Sequence, residues 1–174
     1  MIGRMDKRGE NAGMPVEIPC RDGVRLGGWL WPAVGRSLGR VIINPATGVA
    51  ARYYHRYARF LARHGYNVLT YDYRGIGASR PGHLAGCGYR WRDWGELDFD
   101  AAVRFMHGQE AQGPLNVVGH SVGGFLIGLA DSATLVDRVL AEVACRHAIG
   151  DSDLWIFSRT PAGLAGRPAG RCRQ

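Results

Sequence analysis

Lysine is almost absent from this chain: Lys7 is the only one, so the 22 basic residues behind a formal charge of +7 are otherwise arginines. The arginines are scattered, and Arg52, Arg56, Arg59 and Arg63 fall at helical spacing, the pattern of a solvated helix face. No basic stripe interleaved with aromatics sits on a recognisable module, so nucleic acid is not expected as a partner despite the basic isoelectric point. Long apolar runs are lacking as well. The uncharged stretch from Ala111 to Ala130 is broken by Gln112, Pro114, Asn116, His120 and several glycines, which argues against a membrane span. The leader MIGRMDKRGENAG has basic residues with no apolar segment behind them, so no secretory signal is expected and the cytoplasm is the expected location. Paired cysteines are missing too. Cys20, Cys87, Cys145 and Cys172 lie far apart with no C-x-x-C and no histidine grouping, which excludes a zinc site or disulfide framework and fits reduced thiols.

What is present suits one globular domain, with 174 residues of which 46% are hydrophobic, enough to bury a core. Met1–Gly13 reads as a disordered leader and the segment from Met14 to Val143 as the folded part. Val16–Cys20 and Val24–Trp31 suit strands, joined at the hairpin signal Asp22-Gly23. Val41-Ile42-Ile43 and Asn67–Tyr71 have the apolar character of strands covered on both faces. Between Ala50 and His64, Tyr53, Tyr54, Tyr57, Phe60 and Leu61 recur at helical spacing, and from Asp93 to Met106 a second stripe is formed by Trp94, Leu97, Ala101, Ala102 and Phe105. Pro81–Trp91 shows no period and is expected to be irregular, while Arg138–Val143 suits a further strand.

The central stretch is LNVVGHSVGGFLIGLA, Leu115 to Ala130: an apolar β-branched run, the turn Gly119-His120-Ser121-Val122-Gly123, then a helix-compatible segment from Phe125 to Ala130. G-x-S-x-G at a strand-to-helix junction describes a nucleophile elbow, which holds its serine in a strained backbone conformation above the sheet. Glycines two before and two after it leave room for the neighbouring strand and helix. Ser121 is therefore the candidate nucleophile. Strands alternating with helices predict an α/β fold, a mostly parallel sheet with helices on both faces and an N-terminal antiparallel hairpin. Functional residues of such sheets gather at the carboxyl ends of the strands, where Asn44–Gly48, Asp72–Ser79 and Ser121 all fall. The loop Arg74–Arg80 lacks the third glycine of a dinucleotide fingerprint and opens no helix, and G-K-[ST] is missing, so neither a Rossmann site nor a P-loop is expected.

In these blocks, taken in order from the hairpin Val16–Trp31 through Asn44–Gly48 and Asp72–Ser79 to Gly119–Gly123, the chain resembles the α/β-hydrolase family. It is most similar to bacterial hydrolases of the serine aminopeptidase and lysophospholipase-like group. The resemblance covers Val16 to Val143. It implies hydrolysis of an ester, amide or similar acyl bond of a small-molecule substrate through an acyl-enzyme on Ser121, with no cofactor and no metal. The implied oxyanion donors are the N–H of Val122 and an N–H after the third strand, Ala46 or Thr47, since Pro45 has none. In the resemblance Asp72 and Arg74 bond neighbouring loops. His120 should face away from the serine hydroxyl and bond or pack against a loop. His55 and His64 suit surface or capping roles, and His83 has no specific one.

After Val143 the pattern changes. Cys145-Arg146-His147 and Asp151-Ser152-Asp153 precede a tail rich in Arg, Gly, Ala and Pro, without strand alternation or a useful helical stripe. The triad's acid and base are unassigned. His147 with Asp151 or Asp153 would place the histidine first, the reverse of the family's order. Residues 144–174 are therefore expected to be irregular, the composition of an out-of-frame reading of GC-rich coding sequence. The fold is expected to be a partial α/β-hydrolase lacking its last strands, its open edge near Leu140 prone to self-association. The competing expectation is a catalytically dead remnant or a binding fragment.

Overall fold

A mixed sheet runs through the chain from Met14 to Val143. In the computed structural model, residues 12–143 are described, together with the backbone of 153–160 and 163–171; side chains are described for 12–141. The side chains of His147, Asp151 and Asp153, and the leader up to residue 11, lie outside the described residues.

Strands β1 (Met14–Pro19) and β2 (Arg25–Trp31) form the expected antiparallel hairpin. β2 lies antiparallel to β4 (Tyr66–Tyr71), and β4, β3 (Gly39–Asn44), β5 (Leu115–His120) and β6 (Arg138–Val143) continue in parallel. The order is β1-β2-β4-β3-β5-β6. Because β3 is central, its side chains alternate between two buried faces: Val41 and Ile43 pack with Ala58 and Ala62, whereas Ile42 packs with Phe99 and Met106. This is why the run is apolar throughout.

Two helices cover opposite faces. α1 (His55–Arg63) follows a 3₁₀ turn, Ala51–Tyr54; α2 (Asp100–His107) follows a π-helical segment, Trp94–Phe99. The stripe read for α1 is corrected. Tyr54, Ala58 and Ala62 face the sheet, while Tyr53 and Phe60 are 74% and 53% exposed. Two i, i+4 rows compete on this helix, and the row of small alanines wins because it lets the helix backbone lie close to the strands. In α2 the π segment holds an extra residue per turn and shifts the phase, so Phe99, Val103 and Met106 are fully buried alongside the expected Ala102.

The segment after the elbow departs from the expected helix over Phe125–Ala130. α3 is one turn, Val122–Phe125, continued by 3₁₀ turns at Leu126–Leu129 and Asp131–Leu135. Beyond Val143 the backbone differs from the irregular tail expected of it: β7 (Asp153–Thr160) pairs antiparallel with β6, and β8 (Gly163–Arg171) with β7. Leu154-Trp155-Ile156-Phe157 is a run of high strand propensity embedded in the biased composition. The β6 edge near Leu140 is thus covered by this hairpin rather than open. The hairpin does not prolong the parallel series, which among the described residues runs as far as β6.

Candidate active site

Ser121 follows the last residue of β5 and precedes α3. Its φ of 53° and ψ of −120° make it the one non-glycine residue with positive φ among the described residues. The conformation is enforced by close packing around it. A Cβ on Gly119 would stand 2.5 Å from the Gly124 Cα, and one on Gly123 would stand 2.5 Å from the Asn44 carbonyl oxygen and 2.7 Å from that of Pro45. The elbow is thereby pressed against the end of β3. The Ser121 side chain is half-buried at the carboxyl end of the sheet.

Asn44 reinforces this contact. It is fully buried, and its Nδ2 donates to the Gly123 carbonyl at 3.0 Å while its Oδ1 accepts from the Tyr71 hydroxyl at 2.5 Å. The sequence marks Asn44 only as a turn residue. A polar side chain closing a wholly apolar strand is the available signal, since a buried amide must find partners.

The loop after β3 holds Ala46 and Thr47. Ala46 is buried, and its N–H donates to the Tyr54 hydroxyl at 3.0 Å; Thr47 is exposed. The same hydroxyl lies 2.8 Å from His120 Nδ1, with the Tyr54 and His120 rings edge-to-face at 6.0 Å. His120 therefore bonds a neighbouring element, as adjacent side chains on a sharp turn diverge. Tyr54 is a site residue that the sequence reading missed, having counted it only as part of a helix stripe. Its inward position and its need for a partner at the ring tip were the usable clue.

The loop after β4 is built around two buried carboxylates. Asp72 accepts from the Ala51 N–H at 2.6 Å and the Ala78 N–H at 2.8 Å. Arg74, 3% exposed, donates to Asp98 from Nε at 2.7 Å and from its backbone N–H at 2.8 Å, and to Asp22 from Nη1 at 2.7 Å. Cys20 completes the cluster, its Sγ 3.6 Å from Asp98 Oδ1; burial, then the Asp98 charge, pushes the thiol up to about 12. Asp72 and Arg74 thus tie loops together, as the resemblance implies.

The remaining histidines take varied places. His55 is corrected from a surface role: it is half-buried between Trp29 and Trp31, with ring centroids at 4.8 and 5.0 Å, and burial pushes its pKa below the ordinary value. His64 Nδ1 lies 2.8 Å from the Phe60 carbonyl oxygen at the end of α1, a capping contact. His83 is exposed in the irregular loop.

Beside α3, a groove of about 360 Å³ is lined by Ile76, Leu84, Tyr89, Trp91 and Trp94 among others. The Trp91 ring lies 6.1 Å from that of Phe125, one turn beyond Ser121, and both rings are exposed. No helix among the described residues is long and apolar enough to cross a membrane.

Comparison with known proteins places these features in context. The sequence pattern of the family "Serine aminopeptidase, S33" matches residues 35–135. An uncharacterized protein of Mycobacterium tuberculosis is 33% identical over 148 residues, covering 78% of this chain and 50% of the relative. The monoglyceride lipase of Saccharomyces cerevisiae is 27% identical over 106 residues, 59% of this chain and 34% of the lipase. Among solved structures, the α/β hydrolase GrgF from Penicillium sp. sh18 superposes with a TM-score of 0.63 at 26% identity, over 75% of this chain and 45% of GrgF. The chain spans about half the length of the curated relatives it matches first.

Proposed function

Since the chain belongs to the serine aminopeptidase S33 family of α/β hydrolases, we propose that it is built to cleave a carboxylic ester through an acyl-enzyme on Ser121. The observation that carries this reading is the Ser121 backbone, held at φ 53° by the packing of Gly119 and Gly123. A protein stores strain of this kind where a side chain must be presented in a fixed direction.

In the proposed reaction, the Ser121 hydroxyl oxygen attacks the acyl carbonyl carbon and a base takes its proton. The alkoxide leaves, protonated, as the alcohol, and water then releases the acid and restores the serine. The N–H of Val122 and one N–H of the loop after β3 receive the charge on the carbonyl oxygen, and removing one such donor typically costs about 10²- to 10³-fold in rate. An ester is favoured over a peptide by the lipase among the relatives, and by the exposed ring pair Trp91 and Phe125, the latter one turn beyond Ser121, which suits a lipophilic acyl group.

A second reading is the catalytically dead remnant, a fold without turnover. The two separate on treatment with a fluorophosphonate. Stoichiometric modification mapped to Ser121 by mass spectrometry and lost in Ser121→Ala supports the nucleophile. Folded protein that stays unlabelled supports the remnant.

A further inference from the structure

The Ala46 N–H, one of the two candidates for the second oxyanion donor, already has an acceptor. The Tyr54 hydroxyl oxygen sits 3.0 Å from the Ala46 nitrogen, within the 2.7–3.1 Å that separates an oxyanion from its donors. One N–H makes one strong hydrogen bond, so this group cannot serve Tyr54 and a substrate oxygen together. Tyr54 has a single hydroxyl proton, and His120 Nδ1 lies 2.8 Å from the same oxygen. In the tautomer that carries the imidazole proton on Nε2, Nδ1 accepts from the Tyr54 hydroxyl while the hydroxyl oxygen accepts from Ala46. The chain of bonds runs from the Ala46 N–H through the Tyr54 O–H to His120.

We infer that the Tyr54 hydroxyl, held by His120, occupies the acceptor place at the Ala46 N–H and competes for it with the oxyanion of the hydrolytic reaction. The inference rests on the reading of Ser121 as nucleophile. Its two ends lie on adjacent parallel strands, β3 and β5, where Asn44 is in register with Gly119. One end is the loop after β3 and the other is the residue before Ser121, so the bond chain bridges the two segments that supply the proposed donors. The backbone on both sides is fixed. Gly123 is pressed against Asn44 and Pro45, and the turn carrying Tyr54 is pinned through the Ala51 N–H to Asp72. Release therefore needs the phenol to withdraw, and the bond to His120 is one of the contacts that sets how readily it does so.

A merely structural Tyr54 would lose rate when its hydroxyl is removed, whereas a competing acceptor gives the opposite sign. The test is the rate of fluorophosphonate labelling at Ser121, resolved into kinact and KI, for wild type, Tyr54→Phe, His120→Leu, His120→Asn and Ser121→Ala. The phosphoryl oxygen of the probe stands for the oxyanion. Tyr54→Phe is expected to raise kinact about 3- to 10-fold, the net worth of one hydrogen bond, with KI changed less than about twofold. His120→Leu raises it in the same direction and by less. His120→Asn, whose side-chain carbonyl can accept where Nδ1 stands, returns the wild-type rate. An unchanged or lowered kinact in folded Tyr54→Phe overturns the inference and leaves Thr47 as the donor. Should Tyr54→Phe fail to fold, equal rates in His120→Leu and His120→Asn overturn it. Wild-type protein that does not label at Ser121 defeats the nucleophile reading and this inference with it.

Discussion

The loop after β4 is fastened by buried charge, whereas the loop after β3 is held by neutral hydrogen bonds. In the first, Asp72 and Asp98 satisfy three backbone N–H groups and a guanidinium that is itself shared with Asp22. In the second, Ala46 bonds a tyrosine while Thr47 and Gly48 are exposed. Both follow parallel strands and close the same end of the sheet. The difference lies in what removal leaves behind. Taking away one member of a buried ion pair strands an unpaired charge, but taking away a phenol hydroxyl leaves a neutral N–H without its acceptor. The first loop is scaffold, and the second can exchange partners.

Substitutions sharpen this contrast in descending order of effect. Arg74→Ala strands Asp98, whose side chain has no exposure, and should cost about 3–5 kcal/mol in urea unfolding. Arg74→Lys should recover only part, because a single ammonium cannot span both carboxylates as the guanidinium fork does. Asp72→Ala leaves the buried Ala51 N–H without its acceptor and should cost about 1–3 kcal/mol. Gly123→Ala forces a methyl onto two carbonyl oxygens and should cost about 1–3 kcal/mol while abolishing Ser121 labelling. Tyr54→Phe leaves the buried Ala46 N–H without its acceptor and should cost about 1–3 kcal/mol by the same unfolding measurement, yet with faster labelling. A loss as large as that of Arg74→Ala would erase the distinction between the loops. Smallest is a chemical test: the Cys20 thiol, raised to about 12, stays protonated and should resist iodoacetamide at pH 8 in the folded protein while Cys87, only part-buried, reacts.

The strands were legible because burial on two faces writes itself as uninterrupted β-branched residues, and the elbow because its glycines are dictated by contacts under 3 Å. The helix faces were read less well. On α1 the aromatic row was the conspicuous one, yet alanines pack closest, and in α2 a π segment moves the stripe by a step that no fixed 3.6 period follows. Tyr54 was hidden for a related reason. Its value lies in the hydroxyl at the tip, whose partners Ala46 and His120 are eight and 66 positions away in the chain, and hydropathy does not register them.

Asp72 deserves a last consideration, because one carboxylate grips both the turn leading into α1 and the loop beyond β4. The foot of Tyr54 is consequently clamped to the loop after β4, three residues from the clamp. Whatever freedom the phenol has must come from rotation about its own side-chain bonds. Loosening that clamp should slacken the timing of the neighbouring crevice without touching any atom that meets a substrate.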